Sequence, residues 1–316
     1  MNVLIVGAGS VGQLYGFCLA QGGAEVDVYV REKYRQEALS GYVLYDRNEG
    51  LKTQLSFQPE EVLTVPADLK GRHYDAIIIC VPSTGLRGTW FEELIEFSDQ
   101  ALIISLQPGL EDRSYVAEYA GQGRVVTGLI TSVSYPAPLP GEEAPEPGTA
   151  FWFPPLVKAL FQGSDPRLSE VLEILSRGGL KSEAVSDLST RAGFASGVLT
   201  PFIAGLESVG WSFQNLRSNK EVLRRICNAI NEAHELLEIL LDTRRPLATR
   251  LLSPTSFRGG LIAAPRVTPF DLEIYFQVHF TKVGAQTRRF LEDYIRLRSD
   301  REMASPAITA LLESIR

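Results

Sequence analysis

The chain has 316 residues, about two domains' worth at ~150 residues per domain. It is 45% hydrophobic and 22% charged, which excludes a disordered chain, a collagen-like chain and a disulfide scaffold. The net charge of −7 disfavours bulk attraction to nucleic acid. No apolar run reaches the ~18–20 residues of a membrane helix. The opening MNVLIVGAGS lacks a basic stretch and is interrupted by glycines, so it reads as a strand and a loop, not a signal peptide. Cys18, Cys80 and Cys227 are too few and too scattered for a disulfide framework or a zinc site. The expectation is a cytoplasmic protein with free thiols and no metal.

The first 130 residues alternate strands and helices. Asn2–Val6 is a β-branched run ending in glycines, Gln13–Gln21 reads as a helix, and Glu25–Val30 as a second strand. Gly41–Tyr45 and Leu51–Phe57 flank a turn-rich tetrapeptide and read as a hairpin. The runs 76–81 and 101–105, and the segment 124–131, are continuous apolar stretches, the pattern of strands buried on both faces. Such alternation implies right-handed crossovers and a parallel sheet. Residues 136–155 hold seven of the 18 prolines and read as loop or edge structure, more readily a surface insertion than a functional flap. The helix 166–177 and the short run 182–185 close this part.

From about Asp187 helical periodicity takes over, with long helices over 188–211, 219–241 and 269–297. The fold class is therefore α/β. An N-terminal Rossmann-like doubly wound sheet (1–186) is followed by an all-α C-terminal domain (187–316).

Gly7-Ala8-Gly9-Ser10-Val11-Gly12 is G-x-G-x-x-G, placed between a strand and a helix as a dinucleotide site requires. Gly7 suits the tight turn, Gly9 the approach of a pyrophosphate, and Gly12 close helix–strand packing. The helix N-terminus adds N–H donors and positive dipole. An NAD site places an acidic residue at the end of the second strand. This chain places Arg31, with Lys33 beside it, and a planar guanidinium suits a 2′-phosphate. The reading is NADP over NAD. The alternative is a solvated loop with Glu32 on the ribose. Val81-Pro82 and Gln107, at the carboxyl ends of later strands, complete the expected crevice.

At this point the chain resembles the ketopantoate reductase family, on GAGSVGQLYG with Arg31, the 41–57 hairpin, the strand AIIICV, the QPG turn, RAGFASGVLTPFIAGLESVG and DLEIYFQ. The resemblance implies reduction of a 2-oxo acid with NADPH, and a homodimer formed through the helical domain. It also implies a catalytic lysine, which falls on Gly197, and two asparagines, which fall on Pro201 and Gly205. A further lysine falls on Pro82 and the asparagine of the Q-N-G turn on Pro108. The glutamate falls on Asp271, a partial match. No lysine lies between Lys181 and Lys220. The cofactor half matches and the substrate half departs.

The replacement chemistry is sought on the helix over 269–297. Asp271, Tyr275, His279, Lys282 and Gln286 are spaced 4, 4, 3 and 4, within an arc of roughly 80°. Asp271, Lys282 and His279 are the candidate catalytic groups and Tyr275 a candidate substrate contact. The plain alternative is a solvated face. The family's substrate-binding serine falls near SPTS, which makes Ser256 a second candidate contact. His234, flanked by Asn231, Glu232 and Glu235, reads as a surface histidine. Gly193, Ala195 and Gly197 suggest close packing or room for a larger ligand.

Three readings follow. The first is an NADPH-dependent oxidoreductase acting on a carbonyl or imine of a small molecule other than ketopantoate, with an opine-dehydrogenase-like reaction as a variant. The second is an NADP-binding sensor or scaffold without turnover. The third is a true ketopantoate reductase with relocated catalytic groups. Loss of several polar positions together fits a more apolar substrate or lost catalysis.

Overall fold

β-Branched, fully apolar strands dictate a sheet buried on both faces, and the computed structural model, which describes residues 1–315, contains one. Its strands are β1 (Asn2–Val6), β2 (Glu25–Tyr29), β5 (Val62–Leu63), β6 (Ala76–Ile79), β7 (Leu102–Ser105), β8 (Val125–Leu129), β11 (Ala159–Gln162) and β12 (Ser182–Ala184). Their order is β12-β11-β8-β7-β6-β1-β2-β5, parallel except where β11 meets β8. The pleat sends Val3, Ile5, Ile78 and Ile104 into one apolar layer and Leu4, Val6, Ile77 and Ile103 into the other. The strand order reverses between β1 and β6, and the carboxyl ends there define the crevice of a doubly wound sheet.

The helices of this unit are α1 (Ser10–Gln21), α2 (Arg35–Leu39), α3 (Ser83–Leu86), α4 (Thr89–Glu96), α5 (Asp112–Ala120) and α6 (Leu168–Arg177). A second sheet has the order β4-β3-β10-β9, from β3 (Tyr42–Asp46), β4 (Leu55–Phe57), β9 (Val133–Ala137) and β10 (Gly148–Trp152). β3 and β4 form the expected hairpin, with Tyr42 opposite Phe57. The expectation of a surface insertion at 136–155 is corrected. The segment supplies β10 and the end of β9, and Tyr135, Ala137, Leu139, Ala150 and Phe151 are buried. Pro136 is tolerated because β9 is an edge strand. Pro136 sits inside this edge strand, in line with the expected edge structure, and the other prolines of the segment lie outside β9 and β10.

The chain divides after Leu188 into a second compact unit. It holds α7 (Leu188–Glu207), α8 (Phe213–Ser218), α9 (Lys220–Leu240), α10 (Leu247–Arg250), α11 (Pro254–Ala263), α12 (Leu272–Lys282), α13 (Gly284–Ser299) and α14 (Pro306–Ser314). The expected single helix over 269–297 is two helices, because the ladder breaks at Val283, which ends α12 and precedes α13. α9 carries the core, and its Glu232 carboxylate accepts from Ala307 N and Ile308 N at 2.9 Å each, capping α14.

Candidate functional site

The glycine loop takes the shape its residues dictate. Gly7 has φ +93°, a conformation natural only to glycine, and a Cβ there would lie 2.8 Å from Val81 Cγ1. A Cβ on Gly12 would lie 2.0 Å from Gly7 O, so the helix passes too close to the strand for any side chain. Gly9 differs: nothing lies within 4 Å of its absent Cβ. Gly9 is also the N-cap of α1, with no side chain on the helix N–H groups and no acidic residue in the first turn. Open space before unspent donors is the cradle an anionic pyrophosphate needs.

Two residues that sequence reasoning passed over hold this loop. Gln13 Nε2 donates to Ala8 O at 2.9 Å, and its Oε1 accepts from Thr149 Oγ1 at 2.6 Å. No local signal reveals this pair, since Thr149 lies 136 residues away on β10. Gln107 is buried, and its amide donates to Ile79 O at 3.0 Å and Val81 O at 2.7 Å. Its Oε1 accepts from Ser105 Oγ at 2.7 Å. The side chain thus ties the ends of β6 and β7 together beside the crevice. Asp112, also buried, accepts from Gly109 N at 3.0 Å and pairs with Arg87 at 2.9 Å, pinning the QPG turn.

Arg31 and Lys33 follow β2 and are exposed. Their cationic heads lie 5.3 Å and 4.8 Å from the centroid of the Tyr34 ring. Val81 is half-buried against Gly7 and Pro82 is exposed at the end of β6. Ser10 and Val11 open α1, and Ala8 anchors Gln13.

In the helical unit, Gly193, Gly197 and Gly205 face α9. Cβ atoms there would lie 3.2 Å from Leu241, 2.8 Å from His234 and 2.3 Å from Ile226. Gly193 and Gly197 serve close packing, whereas Ala195 is exposed. The expectation of a surface His234 is corrected: the ring is fully buried, Nε2 lies 3.1 Å from Phe194 O, and the rings of His234 and Phe194 meet edge-on. The acidic neighbours occupy other faces of the helix. The opposite face of α7 carries Ala195, Leu199 and Phe202, none fully buried.

The ionisable stripe is only partly assembled. Asp271 is the N-cap of α12, and its Oδ1 accepts from Glu273 N and Ile274 N at 3.0 Å each. Tyr275, His279 and Lys282 share α12, whereas Gln286 lies past the break on α13. His279 stacks on Tyr275 at 5.3 Å and meets Phe280 edge-on at 4.8 Å. Burial among these rings, with Lys282 adding repulsion, pushes the His279 pKa down to about 4. The imidazole is neutral at neutral pH. Lys282 is exposed. Ser256 is engaged in a capping box: its Oγ accepts from Ser253 N at 2.8 Å and its N donates to Ser253 Oγ at 3.2 Å. Among the described residues no group of His, Cys, Asp and Glu could hold a metal ion, and no helix is long and apolar enough to cross a membrane.

Residues 3–138 match the family model described as ketopantoate reductase PanE/ApbA. Through these residues, less than half of the chain, it is similar to that family. No curated protein matches the sequence significantly. A ketopantoate reductase of the PanE/ApbA family from Ralstonia eutropha superposes with a TM-score of 0.76 at 18% identity, covering 100% of this chain and 97% of that one. The 2-dehydropantoate 2-reductase from Methylococcus capsulatus gives 0.71 at 16% identity, covering 99% and 95%. D-mandelate dehydrogenase with NADH and anilino(oxo)acetate gives 0.75 at 13% identity, covering 100% and 97%. These likenesses show that the whole chain adopts the ketopantoate reductase fold, a Rossmann-like domain followed by a helical one.

Proposed function

We propose that this protein is an NADPH-dependent oxidoreductase that reduces the carbonyl or imine carbon of a small substrate other than ketopantoate. The observation that carries the reading is the glycine loop: Gly9 open, Gly7 and Gly12 closed, and the α1 N–H groups uncapped. The family match over residues 3–138 supports the same chemistry. The residues fit the cofactor. Gly7, Ala8, Gly9, Ser10, Val11 and Gly12 would hold the pyrophosphate, Arg31 and Lys33 the 2′-phosphate, and Val81, Pro82 and Gln107 would frame the remaining crevice. When bound, the dinucleotide supplies the hydride.

On the helical unit, Lys282 is the cation able to neutralise and protonate a developing alkoxide, and His279 is a neutral N–H donor. Asp271, which caps α12 through Oδ1, stays a candidate catalytic group, and Ser256, held in the α11 capping box, and Tyr275 stay candidate substrate contacts. Titration with NADPH followed by its fluorescence, and a screen of 2-oxo acids and imines by NADPH absorbance, test the reading. Failure to bind NADPH overturns it; binding without turnover on any carbonyl or imine favours the sensor.

The expected homodimer is kept as part of this proposal. Leu247, Leu251 and Val267 are 75%, 77% and 73% exposed on the helical unit, apolar surface that a second copy would cover. Light scattering at micromolar concentration giving the 34.9 kDa mass of a monomer would refute it.

A further inference from the structure

One side chain holds the peptide that joins Ala8 to Gly9 in the glycine loop. Gly9 O accepts the first bond of the α1 ladder, from Gln13 N at 2.9 Å. Ala8 O lies one residue outside that ladder, and Gln13 Nε2 donates to it at 2.9 Å. The C=O and N–H of a trans peptide point in opposite directions. With Ala8 O turned to Gln13, the Gly9 N–H points the other way. Without that bond the peptide could flip at little cost, because glycine accepts positive and negative φ alike. A flipped peptide would put a carbonyl where the N–H had been, which repels an anion.

Gln13 is itself held. Ala8 O can only accept, so Nε2 faces it and Oε1 faces away. Oε1 then accepts from Thr149 Oγ1 at 2.6 Å. Thr149 stands on β10, between β3 and β9 in the second sheet. Packing sets the register of this meeting. Phe17 lies one helical turn beyond Gln13 on α1, and Phe151 two residues beyond Thr149 on β10; their rings meet at 6.1 Å.

Packing alone does not require the polar pair. Gln13 and Thr149 are both buried, where an amide and a hydroxyl bring a desolvation cost that an apolar pair of similar shape does not. What the pair adds is a fixed orientation for one peptide of the loop.

We propose that Gln13 and Thr149 are positioning residues for the dinucleotide, with Thr149 fixing the Gln13 amide and Gln13 fixing the Ala8–Gly9 peptide so that its N–H serves the pyrophosphate; this rests on the oxidoreductase reading above. The proline-rich segment that supplies β10 thereby acts on cofactor binding from a different sheet.

A double-mutant cycle on NADPH affinity tests this, with fluorescence titration and a thermal melt of the full chain for each variant. Thr149→Val keeps the side-chain shape and removes the hydroxyl. It should weaken NADPH binding about three- to tenfold, the worth of one hydrogen bond. NADH should weaken by the same factor, because both dinucleotides carry the pyrophosphate. Thr149→Ser should restore binding. Gln13→Leu should weaken binding about tenfold or more, and Gln13→Leu/Thr149→Val no further, since Thr149 acts only through Gln13. The double variant should melt close to wild type, an apolar pair replacing a polar one. Thr149→Val and Thr149→Ser carry the test alone if Gln13→Leu does not fold. Wild-type affinity in Thr149→Val, or losses that add in the double variant, overturns the proposal and leaves the oxidoreductase reading standing. A loss of affinity that follows the melting temperature and is not repaired in Thr149→Ser also overturns it, since the pair then serves packing alone. A wild type that binds neither dinucleotide overturns the oxidoreductase reading, and the proposal with it.

Discussion

Gly197 lies directly against His234: a Cβ on the glycine would sit 2.8 Å from the imidazole Cδ2 and 3.1 Å from Nε2. The position that the family resemblance assigns to a catalytic lysine is thus a helix–helix seam, filled by a buried ring. Because Phe194 O can only accept, Nε2 carries the proton in that contact and Nδ1 stays bare, with no partner among the described residues. Gly197→Ala should destabilise the helical unit by ~1–3 kcal/mol through overpacking, and Gly197→Lys should do so more strongly without conferring ketopantoate turnover. Urea denaturation checks this; a Gly197→Ala chain as stable as wild type would show the seam has slack.

Gly9 and Gly12 make opposite predictions although they belong to one motif. Gly9→Ala adds a methyl group to open space, so the melting temperature should hold while NADPH affinity drops at least ~tenfold, one lost charge-assisted contact's worth. Gly12→Ala drives a methyl group into Gly7 O and should lower both. Thermal melts paired with fluorescence titrations separate the two. A Gly9→Ala chain that binds NADPH normally would remove the pyrophosphate from this loop.

Arg31 and Lys33 should make NADPH bind more tightly than NADH by about tenfold or more, at ~1.5–3 kcal/mol for a hydrogen bond to a charged group. Arg31→Ala should erase most of that preference and leave NADH affinity nearly unchanged. Equal affinities in the wild type would hand the ribose to Glu32 instead.

Acid should weaken the helical unit through its histidines. The folded pKa of His279 lies at about 4, below the ordinary 6.5, and burial lowers that of His234 as well. A depressed histidine pKa means the unfolded chain binds more protons in the window between the two values. The His279 contribution is therefore unaffected above about pH 6.5 and falls as pH drops toward 4, by up to ~1.4 kcal/mol per pH unit, and His234 adds a loss in the same direction. Urea midpoints measured from pH 7 to 4.5 should fall more steeply in wild type than in His279→Gln, so that the difference between the two at neutral pH shrinks in acid. Parallel curves would show that His279 titrates normally.

Much of the sheet was legible because its strands are continuous apolar runs and its turn glycines carry a fixed grammar. Gly7 and Gly12 took the turn and close-packing roles their spacing implies, and Gly9 faces open space. What escaped depends on contacts between distant residues. His234 looked exposed because Glu232 and Glu235 flank it in sequence, yet at helical spacing its side chain shares a face with Ile230 and Leu237, both buried. The 136–155 segment was legible as loop or edge structure, which β9 bears out, but not as part of a packed sheet, because its partner β3 lies about a hundred residues away. The stripe from Asp271 to Gln286 kept its period on paper across Val283, where the helix stops. Gln13–Thr149 and Asp112–Arg87 leave no local signature at all.

Ketopantoate itself should be turned over poorly or not at all by the NADPH-loaded protein. A 2-oxo acid brings one carboxylate, and its reduction builds negative charge on the carbonyl oxygen. Holding both without cations or several donors is costly, and losing a single oxyanion donor typically slows a reaction ~10²–10³-fold. At the positions matched to the family's lysines and asparagines this chain carries Gly197, Pro201, Gly205, Pro82 and Pro108, and the structure turns Gly197 and Gly205 toward α9. Asp271 caps α12, Ser256 is the capping-box partner of the α11 N-cap Ser253, and the face of α7 opposite α9 offers Ala195, Leu199 and Phe202, with Arg191 one turn before them. Lys282 is the cation that could compensate, exposed on the last turn of α12 and coupled to His279. Steady-state reduction of ketopantoate by wild type and Lys282→Ala decides between the readings. A rate at or below ~1% of that on the best substrate of the carbonyl and imine screen is expected for wild type, scaled to the loss of one donor. A robust wild-type rate that collapses in Lys282→Ala would make Lys282 the relocated acid and the protein a ketopantoate reductase after all.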